Sequence, residues 1–344
     1  MREMKDLVVG VVGLRFGATH LKGVIENGAT VGMICDKDAA RLAEIGEECQ
    51  IPAEKRTTDL MDVVNNKEIE VVILATPDML HKDHIVAFLN AGKHVLCEKP
   101  LALEQSHLNE IVAAVKAHPE CKFMVGQICR FTPAFKMAKE IIESGRVGEI
   151  YFVESEYAHD YEAIFNDPTR QWRADPKRHG VIGGGCHAVD LLRWIAGDPT
   201  EVTAYGVHKL LPMVPYDDTT ISILKFPNNV IGKIFVSTGC KRNYTMRTLL
   251  YGTKGTIICD NTSDHMQLFT IGEDGMSVNE KPQIIPIDVN NHNALQEFHV
   301  FADAILNDTP ILTNAIEGAK SVEVCLSIVE SAETDQKVFP NYQF

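Results

Sequence analysis

Residues Gly92 to Leu103 read GKHVLCEKPLAL, a stretch that joins a strand, a charged pair and a proline at one junction. His94 to Cys97 has the composition of a short buried strand, and Glu98, Lys99 and Pro100 follow at its carboxyl end. In open parallel α/β sheets that edge is where ligands bind. Pro100 removes a backbone donor and biases Lys99 toward extended geometry, so an ammonium can be held in a crevice instead of running on into a helix. A fixed cation beside a reacting oxygen is one use of such a junction. A solvated Glu98–Lys99 pair at a strand end is the other.

Working outward, Leu7 to Val12 is an apolar β run followed by the Gly13-Leu14-Arg15-Phe16-Gly17-Ala18 turn and an amphipathic stretch to Asn27. Strand, glycine turn and helix form the context in which a helix amino terminus offers free N–H groups to a dinucleotide pyrophosphate. The pattern departs from G-x-G-x-x-G/A at its middle place, which Arg15 occupies; Gly17 closes an alternative, shorter turn. The Arg15 guanidinium must point away or lie along the phosphates. The next strand, Ala29 to Cys35, ends in Asp36, positioned to accept both hydroxyls of an adenosine ribose and to repel a 2′-phosphate. NAD is thereby favoured over NADP, with Lys37 weakening the preference; Asp36 as the N-cap of a helix from Ala39 is the alternative. Val71 to Ala75 is a further strand ending in Thr76-Pro77-Asp78, with His81 opening the next helix. Thr76 and Pro77 suit the nicotinamide ribose, and His81 reads equally as a capping or surface histidine.

The remaining alternation, a helix from Glu104 to His118 and a strand from Lys122 to Gly126, predicts a doubly wound parallel sheet over residues 1–128. From 129 onward the pattern changes. A helix over Phe131 to Ser144 and an alternating strand over Glu149 to Ala158 lead into a polar loop holding Trp172 and Arg173, where Trp172 reads as a packing anchor or a binding residue. Gly183-Gly184-Gly185 then precedes Cys186-His187-Ala188-Val189-Asp190. On a helix His187 and Asp190 share a face, and a carboxylate partner would orient the imidazole as a base; a histidine with its capping partner is the plainer reading. No third ligand is near in sequence, so a metal site is not expected. Several β-like runs between Glu201 and Ile287 predict an antiparallel sheet, closed by helices over Ala294 to Leu306 and Ala315 to Ser331.

Composition sets limits on function. The 344 residues suit two domains, and 45% hydrophobic content can fill both cores. With 33 Lys and Arg against 47 Asp and Glu, the net charge of −14 opposes nonspecific nucleic-acid or anionic-membrane binding. Nine cysteines without CxxC spacing, and no signal-like or membrane-length apolar segment, lead to the expectation of a reducing cytoplasm.

Five segments, VVGVVGLRFGATH, VVILATPDMLHKDH, AGKHVLCEKPLAL, RFTPAFKMAKEIIESGRVGEI and GGGCHAVDLLRWIAGDP, occur in the order of the glucose-fructose oxidoreductase and inositol dehydrogenase family, which the chain resembles over nearly its whole length. The resemblance implies an α/β protein with an amino-terminal NAD(P)-binding Rossmann domain (1–128) and a carboxyl-terminal α+β domain (129–344) with a large, mostly antiparallel sheet that binds substrate and joins subunits as a homodimer or homotetramer. It also implies hydride transfer between nicotinamide and a ring hydroxyl of a sugar, cyclitol or related polyol, with Lys99 and His187 in the active site and the Trp172-Arg173 pair close to the cofactor. Relatives of the inositol dehydrogenase kind carry an aspartate four residues before that histidine, where this chain has Gly183. The expected catalytic residues are Lys99, His187 and Asp190. The expected cofactor contacts are Gly13, Arg15, Phe16, Gly17, Asp36, Lys37, Thr76, Pro77, His81, Glu98, Lys99, Trp172 and Arg173. An NAD-using glycosidase and a non-catalytic, NAD-responsive regulator are the alternatives.

Overall fold

The computed structural model describes residues 2–272, 275–288 and 292–344. The chain forms two compact units, one running to Gln127 and taking back Asn293–Ala319 and Phe344, the other comprising Ile128–His292 and Lys320–Gln343. In the first, β1 (Val8–Val12), α1 (Gly17–Glu26), β2 (Thr30–Cys35), α2 (Ala39–Glu48), β3 (Arg56–Thr57), α3 (Leu60–Asn65), β4 (Val71–Leu74), α4 (His81–Asn90), β5 (His94–Glu98), α5 (Gln105–Ala117) and β6 (Phe123–Gly126) alternate along the chain. The sheet order is β3-β2-β1-β4-β5-β6 with parallel pairing throughout. Its central strands are apolar because both faces are covered: Val71 to Leu74 and Val95 to Cys97 are fully buried. The order reverses between β1 and β4, whose carboxyl ends flank the crevice where such sheets bind ligands.

Gly13 explains how those two ends come so close. It adopts φ +85°, and a Cβ there would collide with the Ala75 carbonyl oxygen at the end of β4. Only glycine meets both demands, the positive φ and the contact.

The second unit contains α6 (Pro133–Glu143), β7 (Ile150–Ala158), α7 (Glu162–Phe165), α8 (Gly180–Gly183), α9 (Cys186–Ala196), β8 (Glu201–Val207), β9 (Thr219–Lys225), β10 (Ile231–Ser237), β11 (Thr245–Gly252), β12 (Gly255–Asp260), β13 (His265–Thr270) and β14 (Gln283–Pro286). Its eight-stranded sheet runs β14-β13-β12-β11-β7-β10-β9-β8, antiparallel except where β7 lies parallel to β10. One face is covered in part by α9, which packs on β7. On β9 two polar residues, Thr220 and Ser222, face inward with Leu224, while Ile221 and Ile223 are 41% and 51% exposed.

A second domain unbroken from 129 to 344 is not what forms. Helix α10 (Ala294–Asn307) and the first residues of α11 (Ala315–Thr334) return to the first unit. α10 packs on α1, where Gly23 admits the Ala294–Leu295 backbone and the Asn27 side chain donates to the Leu295 carbonyl at 3.0 Å. Among the described residues no helix is long and apolar enough to cross a membrane. Gly13→Ala is expected to destabilise the first unit by ~2–4 kcal/mol through positive-φ strain and overpacking, read as a lowered urea midpoint.

Candidate functional site

At the glycine turn, α1 begins directly after Phe16, which makes no side-chain cap; the Thr19 amide donates to the Phe16 carbonyl at 2.9 Å, and the Gly17 and Ala18 amides ahead of it have no acceptor within the helix. Phe16 is 39% exposed and packs edge-on against His20, and Arg15 lies half-exposed beside Asp38, 3.8 Å away. Asp36, half-buried at the end of β2, accepts from the Leu14 amide at 2.6 Å and from the Asp38 amide at 2.9 Å. The capping alternative for Asp36 is thus set aside, because α2 is capped by Asp38, whose carboxylate accepts from the amides of Ala40 and Arg41. Lys37 is exposed beside it. Helix amino terminus, adjacent guanidinium and strand-end carboxylate together match the charge pattern of an NAD adenosine diphosphate half, so these residues fit that cofactor.

At the end of β4, His81 is neither a cap nor a surface residue. It is fully buried, with Nδ1 2.9 Å from the Pro100 carbonyl and Nε2 3.0 Å from the Thr76 carbonyl, which ties the β4 end to the turn after β5. Thr76 Oγ1 also meets His84 Nδ1 at 3.2 Å. Burial, reinforced by His81, pushes His84 down to about 4 and leaves a neutral ring. Pro77 is half-buried at the same strand end.

At the end of β5, Glu98 is buried and accepts twice. Its Oε1 is 2.7 Å from His20 Nε2, and its Oε2 takes the Lys99 amide at 3.2 Å. The solvated charge pair is therefore excluded for Glu98. Lys99 is half-buried and joined to Pro100 by a cis peptide bond. Glu297 of α10 completes a buried trio with His20 and Glu98.

In the second unit the expected His187–Asp190 pair is replaced by other partners. Asp190 is buried in a bidentate ion pair with Arg130, Nε to Oδ2 at 2.9 Å and Nη2 to Oδ1 at 2.8 Å. Ser321 Oγ donates to the same Oδ1 at 2.8 Å, and the Arg193 guanidinium stands 3.9 Å away. A guanidinium fork matches a carboxylate better than an imidazole does, so the i, i+3 neighbour loses the competition. His187 instead has Nδ1 3.6 Å from Cys129 Sγ and stacks on Tyr157, ring centroids 6.0 Å apart. Tyr157 belongs to an aromatic group in which its hydroxyl meets that of Tyr161 at 2.5 Å and Tyr244 packs edge-on. Burial pushes the Tyr157 and Tyr244 phenols up, keeping them neutral hydrogen-bonding groups. Cys129, Phe135, Tyr244, Met246 and His292 line a shallow recess on this side of the unit.

Trp172 packs against two cations, with the guanidinium carbons of Arg173 and Arg178 at 4.7 and 5.3 Å from its ring. Packing is therefore an observed role for it. Arg178 is buried and donates to the Gly183 carbonyl at 3.2 Å, and a Cβ at Gly183 would run into its guanidinium. The absent side chain at 183 and the buried arginine are two sides of one arrangement. His20, His84 and Arg130 lie inside the quoted family segments without being singled out there, and Tyr157, Arg178 and Glu297 carry no local motif.

Two family models match complementary parts of the chain: an oxidoreductase family, NAD-binding Rossmann fold, over residues 7–127, and a GFO/IDH/MocA C-terminal domain over 135–258. The chain is 27% identical over 312 residues to the uncharacterized oxidoreductase YrbE of Bacillus subtilis, covering 88% of this chain and 87% of that protein. It is 27% identical over 255 residues to inositol 2-dehydrogenase 2 of Saccharopolyspora erythraea, 72% of each. Among solved structures, a levoglucosan dehydrogenase in complex with NADH shares the fold at a TM-score of 0.88 and 24% identity, with 97% of this chain and 99% of that one covered. The chain belongs to the GFO/IDH/MocA family of oxidoreductases, and its first unit is that family's NAD-binding Rossmann fold.

Proposed function

We propose that the protein is an NAD-dependent dehydrogenase or reductase that moves hydride between nicotinamide and a ring hydroxyl or carbonyl of a sugar, cyclitol or related polyol. The observation that carries this reading is Lys99 at the carboxyl edge of a parallel Rossmann sheet, its amide fixed by buried Glu98. The names of the relatives, inositol 2-dehydrogenase and levoglucosan dehydrogenase, support a cyclic polyol as the substrate class. Bound NAD supplies the hydride acceptor.

Lys99 holds the reacting hydroxyl and stabilises the alkoxide that develops as its proton leaves. His187 takes that proton; its stacking on Tyr157 and its contact with Cys129 orient the ring in the place of the carboxylate first expected. Asp190 acts at one remove: it neutralises Arg130 and so anchors the helix that carries His187. The α1 amino terminus, with Gly13, Arg15, Phe16 and Gly17, receives the pyrophosphate, and Asp36 the adenosine ribose, beside Lys37. Thr76 and Pro77 would border the nicotinamide ribose, with His81 and Glu98 shaping that strand end from within, and the family resemblance assigns Trp172 and Arg173 to the cofactor as well. The Arg178 guanidinium against Gly183 supports a substrate bound differently from free inositol in the family's aspartate-bearing members. The exposed isoleucines of β9 support a homo-oligomer joined through the large sheet.

Titration with NADH and NADPH, followed by nicotinamide fluorescence, is expected to show tighter NADH binding because Asp36 repels a 2′-phosphate; equal affinities would remove Asp36 from that role. Lys99→Met should lower kcat by ~10²–10³-fold on the polyol best turned over while changing NADH affinity by less than about threefold. Equal losses in both would count against the assigned chemistry. Asp190→Leu, which leaves Arg130 buried without its carboxylate, should cost ~3–5 kcal/mol in urea unfolding; a loss of turnover with full stability would instead make Asp190 part of the proton relay.

A further inference from the structure

Glu297 sits within α10 with no exposed surface, and among the described residues neither of its carboxylate oxygens has a hydrogen-bond partner. The titratable groups facing it are Glu98 from β5 and His20 from α1; donor and acceptor atoms of the three lie within 4.8 Å of one another. No lysine or arginine makes an ion pair with Glu297 among the described residues. An ionised carboxylate so placed would face a second carboxylate with no basic side chain of the described residues paired to it. Burial, and behind it the Glu98 charge, pushes Glu297 well above the usual carboxylate range.

Two ways of relieving this are open, a divalent cation or a proton, and the geometry distinguishes them. Two ligands of one tetrahedral ion, each ~2.0–2.1 Å from it, stand about 3.3 Å apart. His20 Nε2 and Glu98 Oε1 are 2.7 Å apart, the spacing of a hydrogen bond. We propose that Glu297 holds a proton in the folded protein and is a positioning residue for Lys99, because as a neutral acid it leaves Glu98 the sole acceptor carboxylate for both His20 and the Lys99 amide. The protonation stands on the trio alone; the significance of positioning Lys99 rests on the reading of Lys99 given above.

The linkage has a definite sign. A glutamate raised on folding contributes stability that is complete below its ordinary pKa, 4.5 for this residue, and that is lost as pH rises toward its folded value. Glu297→Gln keeps the shape and removes the titration. In thermal and urea unfolding of the full chain between about pH 5 and pH 9, the folding constant of the wild type relative to Glu297→Gln is expected to fall about tenfold per pH unit until Glu297 ionises, with the two proteins converging at the acid end. Parallel pH curves would overturn the proposal. So would a stoichiometric divalent metal, measured by plasma mass spectrometry, in purified wild type but not in the variant.

The positioning role has its own readout, independent of any substrate. After reductive ¹³C-methylation of lysines, the Lys99 resonance, assigned by its loss in Lys99→Met, should move with pH through the Glu297 transition in wild type and lack that movement in Glu297→Gln. A resonance that titrates identically in both overturns the positioning role. Should the variant fail to fold, infrared spectroscopy of wild type decides the protonation: a protonated-carboxyl stretch that persists at neutral pH is expected, and its absence overturns it. None of these measurements depends on hydride transfer, so a failure of the dehydrogenase reading would show separately, as wild-type inactivity on polyols with the stability and resonance effects intact.

Discussion

A carboxylate buried at the end of a parallel strand has to be compensated from its immediate surroundings, and Glu98 sets those terms for the first unit. Its two oxygens reach in different directions, one to the His20 ring on α1 and one to the amide of Lys99. The first contact ties the helix after the glycine turn to β5. The second fixes the backbone from which the lysine departs. His81 makes a similar tie one strand over, between the Thr76 and Pro100 carbonyls. The carboxyl edge of the sheet is therefore a set of side chains bonded to backbone, which restricts where the exposed functional groups can go.

The second unit solves the same electrostatic problem with arginine. Asp190 is flanked by Arg130, Arg193 and Ser321, and a further guanidinium, that of Arg178, is laid on the Trp172 ring and against Gly183. Guanidinium groups tolerate burial because they spread their charge and bond in a plane. His187 is thereby left to a softer environment of thiol and phenol.

Much of the fold was legible because it rests on local periodicity. Strand, turn and helix alternated from Leu7 to Gly126, and the elements formed with ends displaced by a residue or two, as at β1 and β6. Glu98, Lys99 and Asp36 were legible as strand-end residues because strand direction in a parallel sheet fixes which end carries chemistry. Partner choice was not legible. Asp190 lies three residues from His187 but pairs with Arg130, sixty residues away, and nothing in either local sequence ranks those options. His20 and Glu297 escaped notice for the same reason: they matter through each other and Glu98, and sequence spacing does not record that meeting. The return of 293–319 to the first unit was likewise hidden, since an amphipathic helix shows that it has an apolar face without showing which surface will cover it.

That return separates the order of synthesis from the order of completion. The Rossmann strands are all made by Gly126, yet the helix that contributes Glu297 and lies on α1 begins at Ala294. While the second unit is being translated, the first has every strand but lacks one of its covering layers, and the apolar surface of α1 stays without its cover until most of the chain has left the ribosome. Domains that fold as units usually do so amino terminus first. Here the earliest part of the polypeptide is among the last to be finished.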